Sequence, residues 1–185
     1  MGYAPPWIDP RSIYVDHPHP ASLEEKDLVA QTEISVGRTS GPGGQHRNKV
    51  ETAVRVVHRE TGIETRATER REQRVNRAKA LFRLRMKLAV QVRTPTGRNN
   101  HRPSELWCSR RQGTKLPVNA KNKDFPTLLA EALDVIIARK YDVAGAAGIL
   151  GVTMSQLTRL LRQEAHVLSR VNVGRESVGL PRLRS

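Results

Sequence analysis

Val75, Ala78, Leu81, Phe82, Leu88 and Ala89 recur at steps of three, four or seven, and Arg70, Arg74, Arg77 and Arg85 fall largely between them. That spacing predicts an amphipathic helix from about Glu69 until Thr94-Pro95, because a proline disfavours helical geometry at the residue before it. Upstream the period is different. Thr32 to Thr39 and the Val-rich stretch Thr52 to His58 suit strands, and Glu60-Thr61-Gly62 reads as a turn into a further strand, Ile63 to Thr68. Residues 31–93 are therefore expected to fold as an α+β domain, a small sheet with a packed helix.

The flanks read otherwise. Pro5, Pro6, Pro10, Pro18 and Pro20 disfavour regular structure before about Leu23, so residues 1–30 are taken as a flexible leader. Residues 94–124 mix Pro, Gly, Asn and Arg and are taken as a basic linker. From Phe125 a helix is predicted, with Pro126 in its first turn and Leu129, Leu133, Ile136 and Ile137 on one face. Asp142 is placed to cap a short helix ending at Gly151, and Thr153 or Ser155 to cap another running toward Gln163. Residues 125–170 are thus expected to form a small all-α, helix-turn-helix-like module, with a tail at 171–185.

Charge is distributed unevenly over this plan. Lys and Arg outnumber Asp and Glu by 20 to 6 in residues 38–115, against 2 to 6 in residues 1–37 and 10 to 6 in residues 116–185. A positive middle implies a polyanionic partner, and the low aromatic content makes phosphate contact the expected mode. Cys108 is the single cysteine, which excludes a disulfide framework, and the six histidines show no metal-ligand spacing, so no cofactor or metal is expected. No secretory signal, bilayer-spanning stretch or myristoylation signal is present, which reads as cytoplasmic.

One segment stands apart, Arg38-Thr39-Ser40-Gly41-Pro42-Gly43-Gly44-Gln45-His46-Arg47-Asn48-Lys49. It is no Walker A loop, since Lys49 follows Asn48 and precedes Val50. Adjacent glycines let a backbone approach a substrate closely, and exposed N–H groups without a nucleophile suit water attack on an activated ester. The segment resembles the catalytic domain of class I peptide-chain release factors, whose hallmark Gly-Gly-Gln is matched by Gly43, Gly44 and Gln45. Ser40-Gly41-Pro42, Asn48-Lys49, Thr52-Ala53-Val54, His58, Thr61-Gly62-Ile63, Arg71, Gln73, Asn76 and Ala80 extend the likeness over residues 31–92. Glu72 departs from it, standing where a small polar residue is usual.

The resemblance implies a loop that enters the ribosomal peptidyl-transferase centre and hydrolyses P-site peptidyl-tRNA. The Gln45 N–H would face the developing oxyanion, the Gln45 side chain would select water, and Ser40, Gly41, Pro42, Asn48 and Lys49 would support the loop. It also makes Gln45 a candidate for a glutamine methyltransferase. About thirty residues before the domain leave no room for a codon reader, so the expected subtype is a codon-independent factor that rescues stalled ribosomes. Such relatives sense the mRNA channel of the small subunit with a basic extension, whereas residues 125–165 here look helical.

Candidate RNA-binding residues are Arg38, Arg47, Lys49, Arg70, Arg71, Arg74, Arg77, Arg110, Arg111 and Lys115. Trp107 is weighed equally as a base-stacking residue and as a gap filler, and His58 is expected to be a packed strand residue rather than a base. Two alternatives from other classes stand beside this reading: a nucleic-acid-binding regulator using Gln156, Arg159 and Arg162, and a ribosome-binding relative without catalysis.

Overall fold

The computed structural model describes residues 11–37 and 52–184. The backbone separates into two compact units, one of residues 20–88 and one formed by residues up to 19 together with residues 89 onward.

The first unit is built on a short antiparallel sheet. Strands β2 (Thr32–Gly37), β3 (Ala53–His58) and β4 (Glu64–Ala67) lie in the order β2-β3-β4. Alternation along β3 explains its place in the centre: Val54, Val56 and His58 are buried while Arg55 between them is exposed and pairs with Glu64. The β3–β4 turn closes as expected, with Gly62 at φ +67 donating to the His58 carbonyl at 2.8 Å. A 3-10 turn at Pro20–Ser22 and helix α1 (Glu25–Ala30) precede β2, and Ala21 and Leu28 are buried. Residues 11–30 are therefore not the featureless leader that their prolines suggest, because two apolar side chains find a core there.

Helix α2 (Gln73–Gln91) supplies the long element. Its buried positions are Asn76, Ala80, Leu81, Leu84, Leu88 and Ala89. The stripe differs from the predicted one: Ala78 is exposed and Val75 and Phe82 are half-buried. Steps of four through 76, 80, 84 and 88 make the buried ridge, and period alone does not select it because Val75, Ala78 and Phe82 fit steps of three and four equally well. The helix also stops early, and Val92–Arg93 continue as strand β5, parallel to β1 (Ile13–Tyr14) with Ile13 opposite Val92.

The second unit is helical, with α3 (Glu105–Arg110), α4 (Phe125–Ala138), α5 (Val143–Leu150), α6 (Met154–Arg162) and α7 (Ala165–Ser177). Apart from Thr127 and Glu131, every residue of α4 is buried, so it is the central helix rather than a one-faced one. Asp134 on α4 receives the guanidinium of Arg93 at 2.9 Å and the hydroxyl and amide of Thr94. Arg93 is 1 % exposed and also donates to the carbonyls of Ala89 and Ala130.

Residues 94–124 are not a free linker. Ser104 caps α3 by accepting from the Trp107 N–H, and its own hydroxyl donates to Glu131 on α4 at 2.6 Å. Trp107 is fully buried and donates from Nε1 to the Leu150 carbonyl at 2.8 Å, which removes it from any role in stacking on bases. The caps of α5 and α6 are those the sequence indicates: Asp142 accepts from the Gly145 N–H, Thr153 from the Gln156 N–H, and Gly151 has φ +67. Residues 171–185 are not a plain tail either. Helix α7 runs to Ser177, and Asn172 holds the backbone of the buried Leu183 through both its amide atoms.

Candidate functional site

Gly43, Gly44, Gln45 and the segment Arg38 to Lys49 around them lie outside the described residues. What the structure describes is the frame that carries this segment. Strands β2 and β3 pair antiparallel from Thr32↔His58 to Gly37↔Ala53, so the chain leaves β2 and re-enters β3 at directly opposed positions. The intervening segment is thereby the connection of a hairpin, its two ends fixed to within one strand spacing.

The return end is clamped from the side. Asn76, fully buried on α2, donates from Nδ2 to the Thr52 carbonyl at 2.7 Å and to the Arg70 carbonyl at 2.8 Å. Its Oδ1 accepts from the Arg70 N–H at 3.0 Å. An amide side chain has two donor hydrogens and one acceptor oxygen to offer here, and all are used. A single side chain thus ties together the last residue before β3, the turn leading into α2 and α2 itself. Asn76 belongs among the residues that position the site, although the sequence marks it only by spacing, as an amide three residues after Gln73 in a basic stretch.

The clamp has an electrostatic consequence. Because Arg70 is bonded to the side chain that holds Thr52, the start of α2 stands beside the base of the hairpin connection. Arg70, Arg71, Arg74 and Arg77 are all exposed there and form no ion pair among the described residues, whereas Glu69 is engaged by Arg83. That bond, with backbone hydrogen bonds, holds the Glu69 carboxyl below its ordinary range. Arg70 and Arg71 stand in the turn before α2, and Arg74 and Arg77, three residues apart, share one face of its first turns. The arrangement offers a row of uncompensated cations to a phosphate backbone.

His58 stands at the opposite end of β3 from the connection. It is buried, with Nδ1 2.9 Å from the Thr61 hydroxyl and Nε2 3.1 Å from the Gln31 Oε1, and burial pushes its pKa down. It staples the strand ends and takes no part in a site at the far end of β3, as its sequence position leads one to expect.

The remaining sequence-nominated cations fall in the helical unit and are differently employed. Arg110 pairs with Asp124, and Arg111 donates to the carbonyls of Gly113 and Gly151, both at 3.2 Å. Lys115 is exposed at the end of a tight hairpin in which Gln112 and Lys115 exchange backbone hydrogen bonds of 2.9 Å. No helix among the described residues is long and apolar enough to cross a membrane.

Comparison with known proteins agrees with this frame. Fifty per cent identity over 68 residues relates the chain to the chloroplast peptide chain release factor PrfB1 of Arabidopsis thaliana, covering 37% of this chain and 14% of that protein. Peptide chain release factor 1 of Acidiphilium cryptum is 47% identical over 79 residues, covering 42% and 22%. Peptide chain release factor 2 of Campylobacter concisus is 43% identical over 74 residues, covering 40% and 19%. The chain thus spans less than a quarter of the length of each of these relatives. The model of the RF-1 domain matches residues 22–121, more than half of the chain, and takes in α1, the whole sheet, α2, β5 and α3. On that match the protein belongs to the RF-1 domain family.

Proposed function

We propose that this protein hydrolyses the ester of peptidyl-tRNA on the ribosome without reading a codon, releasing nascent chains from stalled ribosomes. The observation that carries the reading is membership of the RF-1 domain family together with Gly43-Gly44-Gln45 on the β2–β3 connection. The three relatives named above are peptide chain release factors, and the function is carried over from them as a proposal.

In the proposed reaction water adds to the peptidyl carbonyl carbon and the bond to the ribose oxygen of the tRNA breaks. The hydroxyl stays on the peptide as a carboxylic acid and the proton goes to the ribose. Gln45 is assigned the backbone N–H that meets the developing oxyanion, a type of donor whose loss costs about 10²–10³ in rate. Ser40, Gly41, Pro42, Asn48 and Lys49 are assigned to loop support, and Gln45 is also assigned as the target of a glutamine methyltransferase. Phosphate contacts to large-subunit RNA fall to Arg38, Arg47, Lys49 and the exposed arginines of α2. The small-subunit mRNA channel is the proposed place where stalling is sensed, and the cytoplasm the proposed location.

The alternative of a duplex-reading regulator gains little from α6. Gln156 already accepts from the Leu116 N–H at 3.4 Å, and Arg162 donates to the Arg184 carbonyl at 2.6 Å, which leaves Arg159 alone of the three without a bond among the described residues.

The test is release of labelled peptide from purified ribosomes holding P-site peptidyl-tRNA on a message without a stop codon. Wild type is expected to release it, and Gln45→Pro, which removes the N–H, and Gly44→Ala to lose at least about a hundredfold in rate. Binding of wild type to those ribosomes with no release would replace this reading by a non-catalytic one.

A further inference from the structure

The segment 111–118 lies beside α6, turning back on itself at Gln112–Lys115, and four hydrogen bonds hold it there. Arg111 donates to the Gly151 carbonyl at 3.2 Å, the Thr153 N–H to the Thr114 carbonyl at 3.2 Å, the Leu116 N–H to Gln156 at 3.4 Å, and Gln163 to the Val118 carbonyl at 3.0 Å. These contacts span α6 from the turn before it to the residue after it, so hairpin and helix form one surface. Gly113, at φ +59, makes the hairpin tip.

Gln156, Arg159 and Gln163 are three and four residues apart and share one side of α6. Arg159 therefore borders the seam whose other bank begins at Lys115. Both side chains are exposed. Residues 110–118 and 151–163 contain no carboxylate, and of their cations Arg110 alone is neutralised, by Asp124. Exposed neighbours are hydrogen-bonding groups, Gln112, Thr114 and Ser155, with Met154 the one large apolar side chain exposed on α6. Cations interleaved with hydroxyl and amide groups, with Met154 and Pro117 the exposed apolar side chains of these two segments, match a phosphate backbone better than the apolar centre of a protein interface.

We propose that α6 and the Gln112–Lys115 hairpin form a second docking face, distinct from the Gly43-Gly44-Gln45 connection and the arginines at the start of α2, which grips the phosphate backbone of a folded RNA through Lys115 and Arg159. The assignment to RNA rather than DNA rests on the reading that this protein works on the ribosome. The grip itself rests only on the geometry and charge of this face.

The test uses the full chain and a fluorescently labelled RNA stem-loop, with a DNA duplex of the same sequence as comparison, over a series of salt concentrations. Lys115→Glu with Arg159→Glu is expected to weaken RNA binding about tenfold or more. It should also flatten the plot of log affinity against log salt by about two, one unit for each phosphate contact removed. Lys115→Gln with Arg159→Gln should fall between, and both variants should melt as wild type does because neither residue is buried. The stem-loop titration needs no ribosome and no peptidyl-tRNA, so failure of the release reaction and failure of this face are read separately. Unchanged affinity and salt slope in the charge-reversed variant would overturn the proposal, and tighter binding to the DNA duplex than to the stem-loop would overturn its assignment to RNA.

Discussion

The packed parts of the helical unit and the start of α2 hold arginines in opposite ways. In the helical unit Arg93, Arg110, Arg139 and Arg175 are turned to the protein's own carboxylates and carbonyls: Arg93 to Asp134, Arg110 to Asp124, Arg139 to Asp142, and Arg175 to the carbonyls of Tyr141 and Pro181. At the start of α2, Arg70, Arg71, Arg74 and Arg77 are exposed and make no such pairs among the described residues. Net charge alone does not separate these populations. The first is structural, since a guanidinium's planar array of donors satisfies several carbonyls at once, and the second is free for a polyanion.

The sharpest way to break that contrast is at Asp134. Asp134→Ala leaves Arg93 buried without its counter-ion, and breaking such a pair costs about 3–5 kcal/mol. Thermal melting should show the loss in the helical unit, and Arg93→Met with Asp134→Leu should recover much of it. A single variant that melts as wild type does would mean that Arg93 is not a structural arginine.

Asn76→Ala should follow, at about 3 kcal/mol, since the Arg70 N–H and the Thr52 carbonyl lose a buried partner together. Hydrogen exchange would report it, with the Arg70 amide losing protection while α4 does not change. Equal loss in both units would deny Asn76 its local role.

Trp107→Phe keeps most of the buried ring and removes one hydrogen bond to Leu150, for an expected cost of about 1–2 kcal/mol by denaturant unfolding. By contrast, Arg71→Ala with Arg74→Ala should change stability by about 0.5 kcal/mol or less and yet flatten the salt dependence of RNA binding. A large stability loss there would place these arginines with the structural ones.

The smallest effect is on pH. His19 and His58 are both held below their ordinary pKa, first by burial, His19 with Nε2 3.1 Å from the Val92 carbonyl. Each therefore binds its proton less readily folded than unfolded, so the contribution is complete above about pH 6.5 and is lost as pH falls below it. His58→Gln should reduce the acid-side loss in the sheet unit; an unchanged profile would show that His58 does not titrate on unfolding.

Much of this was legible beforehand. Gly62, Gly151, Asp142 and Thr153 declared their turns and caps because left-handed φ and N-cap hydrogen bonds depend on the residue itself and its next few neighbours. The Val-rich stretch Thr52 to His58 declared a strand for the same local reason. The stretch at 11–22 and the polar stretch at 94–124 misled, because Ala21 and Trp107 are buried and bonded to partners far away along the chain, Arg85 and Leu150. Asn76 was visible only through spacing shared with a family.

The sequence by itself determined the strands on either side of Gly43-Gly44-Gln45, the turn at Gly62, the helix caps and the basic middle, each set within a few residues by backbone sterics and side-chain chemistry. Tertiary structure alone decided which arginines are counter-ions, which face of α2 is buried and which amide clamps the base of the connection. Burial and pairing depend on what stands opposite in space, and Arg93 meets Asp134 across 41 positions of chain.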